Sequence, residues 1–187
     1  MALTINHQTN DISATSGSVT LDGSAAGGGS WNLISTTQVS SAVASVAFTS
    51  IGSYNRYVLN FHCTLSSASQ PKIQIYDNGS VVTSSNYSMD RHYPGGSLSA
   101  NTTGFIGSGD LLSVIGTFQI DTSSPRGLIM MELNGFTSTG DSASIQYTAG
   151  GMKSTYSITD IDGFNFTTTT GTSIISSGTF SLYGISE

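Results

Sequence analysis

The sequence predicts an all-β protein: an antiparallel β-sandwich, jelly-roll-like, of about ten strands, with an extended N-terminal arm. Three observations lead there. Ser, Thr and Gly supply 80 of the 187 residues, the composition of strands with threonine-rich wet faces joined by tight turns. Hydrophobic residues make up 37% and charged residues only 9%, which separates the chain from disordered sequences, where low hydrophobicity goes with high charge. The apolar residues alternate with polar ones, and no stretch sustains a capped 3.6-residue pattern. A β-helix would suit the same composition, but it should repeat about every twenty residues, and no such self-similarity is present.

Residues 1–30 are polar, with one weak alternation at Ser18–Leu21, and end in DGSAAGGGS, where Gly27, Gly28 and Gly29 form a joint. They read as an arm attaching the domain of residues 31–187 to a particle or a neighbouring subunit. Strand candidates then follow at Trp31–Thr36 and Ala44–Ile51. Arg56–Leu65 is the clearest, with Tyr57, Leu59, Phe61, Cys63 and Leu65 alternating with Val58, Asn60, His62 and Thr64. Lys72–Asp77 runs into Asn78-Gly79, a hairpin turn signal because both residues accept positive φ. Val81–Thr83 returns from it, and Tyr87–Tyr93 follows. Residues 94–109 are Gly- and Ser-rich and read mainly as a loop. Leu112–Asp121, Gly127–Asn134, Ala143–Thr148, Ile161–Thr168 and Gly178–Ile185 complete the set. In the last of these, GTFSLYGI, Phe180 and Leu182 share one face and are expected to be buried. Trp31, just after the glycine joint, is expected to plug one end of the sandwich.

Charge and motifs exclude several functions. The net charge is −6, and the five cations are scattered, so no basic patch for nucleic acid can be assembled. A single cysteine rules out an internal disulfide framework, and Cys63 reads as a small buried hydrophobe. The opening MALTINHQTN has neither a basic nor an apolar leader region, and no run has the length of a membrane span. His7, His62 and His92 share no metal-type spacing. Asp160-Ile161-Asp162-Gly163 has the start of a calcium loop, but no bidentate glutamate follows, so a turn into the FNF strand is the better reading and Asp160 and Asp162 are weak metal candidates. Glu132 has no carboxylate partner in the pattern of a glycosidase. No catalytic residues and no cofactor are expected.

One cluster has two readings. Tyr87, Asp90, Arg91, His92 and Tyr93, with Tyr54, gather aromatic and charged groups suited to a sugar surface. The favoured reading is that Tyr87, Met89 and Arg91 form one strand face that packs in the core, with Ser88, Asp90 and His92 on the other.

The order of motifs carries a resemblance. A Gly-rich stretch precedes WNLISTTQVS, then AVASVAFTSI, then YNRYVLNF; YSMDRHY, a Gly/Ser loop, GTFQID and GTFSLYGI follow. Over about residues 27–185 this resembles a group of small tailed-bacteriophage virion proteins, tail fibre-like or uncharacterised in role. The resemblance implies a β-sandwich without catalysis, built into a particle and often a symmetric oligomer, and it transfers no site residues. The expected role is a tail fibre or tail appendage, joined to other virion proteins through residues 1–30 and touching a host surface glycan through the 86–93 cluster and residues 94–109. A homo-oligomer is expected, with a trimer the guess. The alternatives are a capsid decoration (cement) protein and a carbohydrate-binding module. Such a protein is made in the host cytoplasm and released by lysis.

Overall fold

The computed structural model describes residues 3–6, 11–14, 20–21, 24–25, 31–83, 85–93, 96–106, 111–122, 127–137, 143–156, 158, 160–170 and 174–185. The chain divides into two compact units, Met1–Ser30 and Trp31–Glu187. The first is not simply extended. It holds two antiparallel pairs, β1 (Leu3–Asn6) with β2 (Asp11–Ala14) and β3 (Thr20–Leu21) with β4 (Ser24–Ala25), and Ile5 lies opposite Ile12 in the longer pair.

The second unit is an antiparallel β-sandwich. Its strands are β5 (Trp31–Val39), β6 (Val46–Thr49), β7 (Arg56–Ser69), β8 (Pro71–Asp77), β9 (Ser80–Val81), β10 (Tyr87–Tyr93), β11 (Gly96–Thr102), β12 (Phe105–Ile106), β13 (Leu111–Asp121), β14 (Leu128–Thr137), β15 (Ala143–Met152), β16 (Ile161–Thr168) and β17 (Ile175–Ile185). Eight form one sheet in the order β11-β10-β15-β14-β13-β7-β17-β5. The smaller sheet runs β12-β8-β16-β6, with β9 paired to β8. No helix occurs among the described residues.

The two sheets meet through aromatic rings. Phe61 of β7 lies 4.8 Å from Phe166 of β16, and Phe166 lies 4.9 Å from Phe180 of β17. Phe118 of β13 meets Phe164 at 5.7 Å. The alternation of β7 is what aims these groups inward: Tyr57, Leu59, Phe61, Cys63 and Leu65 are buried, and Asn60, His62 and Thr64 are exposed. β17 lies between β7 and β5, so both of its edges are paired. Phe180 and Leu182 are fully buried. At the Asn78-Gly79 turn both residues take positive φ, 53° and 76°, the backbone that matches the twist of a two-residue hairpin.

Two expectations are corrected. Within residues 94–109, read as a loop, β11 pairs along all of β10 and β12 pairs β8. Backbone pairing needs no particular side chain, so the Gly/Ser composition concealed β11. Phe105 is fully buried against Tyr87 and Phe118, and it carries the chain from one sheet to the other. Trp31 does not plug the sandwich: it is 55% exposed. It lies on the outermost strand of the large sheet, opposite Ile185, where neighbours flank it on one side only.

Burial sets the state of Cys63. It is fully enclosed, and desolvation pushes its thiol up to about 12. The folded thiol therefore stays neutral where the unfolded one ionises, near pH 9. Stability from this group is complete below pH 9 and declines as pH rises towards 12, by about 1.4 kcal/mol per pH unit. Tyr57 and Tyr87, also raised by burial, act in the same direction at higher pH. Urea midpoints measured from pH 8.5 to pH 11 should fall, and fall less steeply for Cys63→Ala. An aromatic disulfide reagent should label Cys63 only after urea unfolds the chain.

Candidate functional site

The outward side of the large sheet is the most distinctive surface of the sandwich. Register places its side chains in rows. One runs Leu33, Tyr183, Val58, Gln119, Met130, Ala149, Asp90 across seven strands. The next is polar: Thr36, Ser181, Asn60, Thr117, Glu132, Tyr147, His92. Hydroxyls of Thr36 and Ser181 meet at 3.0 Å, and the Thr117 hydroxyl donates to Asn60 Oδ1 at 3.0 Å. Beyond it lie Thr179, His62, Ile115, Asn134 and Ile145, and Asn134 Nδ2 donates to Glu132 Oε1. The strand ends carry Trp31, Ile185, Arg56, Asp121 and Leu128 in line.

Every large apolar side chain that is markedly exposed among the described residues lies on this one side. These are Trp31, Leu33, Ile115, Leu128, Met130, Phe136, Ile145 and Tyr147, each more than half exposed. Trp31 packs edge-on to Tyr183 at 5.8 Å. A depression of about 250 Å³ opens at one end of the central strands β7, β13 and β14, lined by Arg56, Gln119, Asp121, Leu128 and Met130. Arg56 and Asp121 are cross-strand partners there. Large exposed apolar groups gathered on one side of a sheet mark a candidate interaction surface.

The residues proposed from sequence separate. Tyr87 is fully buried and is no surface group. Its hydroxyl accepts from Ile75 N at 3.0 Å and donates to Val82 O at 2.9 Å, tying β10 of the large sheet to the smaller one. Tyr87→Phe should leave the buried Ile75 N–H without that partner and cost about 1–3 kcal/mol, read from urea unfolding. Tyr54 is half-buried against the core, with its ring against Tyr57 and Gly184. It also sits beside β7, four strand spacings from β10, or roughly 19 Å, so it does not join the cluster. Met89 is buried with Tyr87, whereas Asp90 and His92 are exposed on the outer side. The side chains of Arg91 and Tyr93 lie outside the described residues, as does residue 94.

Asp160 and Asp162 hold a turn. Asp162 Oδ2 accepts from Gly79 N, Asp77 Oδ1 accepts from Asp160 N at 2.8 Å, and Tyr156 donates to Asp77 Oδ2 at 2.7 Å. These bonds fasten the β8–β9 hairpin to the start of β16. No set of three or more His, Cys, Asp or Glu groups among the described residues is arranged to hold a metal ion. Likewise, no helix among the described residues is long and apolar enough to cross a membrane.

Sequence reasoning missed the outer face, although β14 carries its signal. GLIMMELN is apolar at Ile129, Met131 and Leu133, which are buried, and again at Leu128 and Met130, which are not. A sandwich strand apolar on both faces breaks the usual wet-and-dry alternation. No protein family, curated protein or solved structure matches the chain.

Proposed function

We propose that this chain is a non-enzymatic structural protein of a tailed-bacteriophage virion, a tail fibre or tail-appendage component mounted through residues 1–30. The observation that supports it is the outer face of the large sheet, which exposes eight large apolar side chains and suits assembly rather than enclosing a small substrate. The rigid aromatic core beneath it holds that surface in one shape, as a building block requires. The sequence resemblance over about residues 27–185 points to the same class. Asp90 and His92, exposed at the β10 end, are the groups left to meet a host surface.

Immunogold electron microscopy tests the reading. Antibody raised against the purified chain should decorate the tails of particles that encode it. Label over the capsid lattice would assign it to shell decoration instead, and unlabelled particles would remove the virion role.

A further inference from the structure

We propose that Asn78 is a latent deamidation site, held unreactive in the folded chain by the Asp162 carboxylate. The sequence contains two Asn-Gly pairs, Asn78-Gly79 and Asn134-Gly135. In such a pair the glycine nitrogen can reach the asparagine side chain, because glycine has no Cβ to hinder the approach. At the first pair the Gly79 nitrogen gives its proton to water and bonds to Asn78 Cγ. The Cγ–Nδ2 bond breaks and ammonia leaves. Water then opens the ring at one carbonyl or the other, giving aspartate or isoaspartate. Water is the only co-reactant.

The two pairs are protected in different ways. Asn134-Gly135 lies inside β14, paired with β13 on one side and β15 on the other, so its backbone moves only if the large sheet opens. Asn78-Gly79 sits exposed at a hairpin tip, where a backbone is ordinarily freest to move. Here both residues are pinned: Asn78 N donates to Asp160 O at 3.0 Å, and Gly79 N donates to Asp162 Oδ2. The second bond falls on the nitrogen that would attack. A carboxylate at that hydrogen opposes loss of the proton, since the amide anion would face a like charge. It also ties the nitrogen to the start of β16 instead of leaving it free to turn onto Asn78. The other oxygen, Asp162 Oδ1, is enclosed without a hydrogen-bond partner. That enclosure offsets part of what the Gly79 bond contributes to stability.

The reaction would make an opening of the hairpin permanent. It replaces a neutral amide with a carboxylate close to Asp77, Asp160 and Asp162, and like charges oppose reclosure. The inference concerns how the chain ages and stands apart from the virion reading.

The test is incubation of the whole chain at mildly alkaline pH, with aspartate and isoaspartate at each pair quantified by peptide mapping. In urea the two pairs should react at comparable rates. In native wild type both should be slower by roughly tenfold or more, because reaction waits for opening. Asp162→Ala should speed Asn78 by roughly tenfold or more, the effect of losing a hydrogen bond to a charged group on how often the tip opens. Asn134 should stay slow in that variant. It is the internal control, since a chain that merely unfolds more often speeds both pairs together. Tyr87→Phe, which weakens the link between sheets and leaves Asp162 in place, should not separate the two rates. Asp162→Asn keeps a neutral acceptor and should fall between wild type and Asp162→Ala; if the alanine variant does not fold, its ratio of the two rates decides. Native wild type that reacts at Asn78 as fast as in urea would overturn the proposal. So would Asp162 variants that leave Asn78 slow or speed Asn134 equally.

Discussion

Phe180→Asp is expected to leave no folded sandwich. The Phe180 ring is fully buried, 4.9 Å from Phe166 and 6.0 Å from Phe61, at the point where three strands from two sheets meet. Truncating a buried phenylalanine costs about 3–5 kcal/mol. An unpaired carboxylate in the same place costs several kcal/mol more. The sum rivals the whole stability of a domain, about 5–15 kcal/mol. Far-ultraviolet circular dichroism and urea unfolding should show a chain without a cooperative transition. Two controls sharpen the result. Phe180→Leu should fold with a smaller loss, and Phe136→Asp, at a half-exposed position, should change monomer stability by under about 1 kcal/mol. A folded Phe180→Asp would mean that β17 does not close the core.

The second large effect is expected at Gly163. This residue follows the Asp160-Ile161-Asp162 sequence and lies beside a register shift in the β16–β8 pairing. A Cβ there would overlap the Phe48 carbonyl oxygen of β6 and come within 2.9 Å of the Tyr76 ring. The obstacle on one side is backbone, so it can yield only by moving β6 away. Gly163→Ala should cost about 3 kcal/mol, the upper end for overpacking, and Gly163→Val more. Thermal unfolding measures it. Added calcium should leave the melting temperature of wild type unchanged. A calcium-dependent rise would restore the metal reading of Asp160 and Asp162.

These two positions show what the sequence makes legible. Period-two alternation located Phe180 and Leu182 on one side of a strand, and the same reasoning placed Cys63 with Tyr57, Leu59, Phe61 and Leu65. It works because side chains of a strand alternate whatever the neighbours are. It fails where information is tertiary. Gly163 is glycine because a carbonyl from a strand more than a hundred residues earlier passes against it, and nothing local encodes that approach. β11 is a strand because β10 offers it a backbone edge, not because GSLSANT favours one. Tyr87 kept a surface reading beside the core one because it stands among charged residues, yet its partners are the amide of Ile75 and the carbonyl of Val82. The outer face required knowing which strands are neighbours, since Leu33 and Ile145 meet the same surface only through the order of the sheet.

The place of β17 between β5 and β7 bears on how fast the molecule can be made. Thr36 and Ser181 are hydrogen-bonded across 145 residues of sequence. Until β17 arrives, β5 and β7 each present an open row of amides and carbonyls. Contacts this distant in sequence are closed late, because the entropy of a long loop is lost before any bond rewards it. Refolding is therefore expected on the scale of milliseconds to seconds, as for other sheets of distant strands. During that interval a β17 from another molecule has the same backbone to offer. Slow closure makes strand exchange at this gap a concentration-dependent competitor of correct folding.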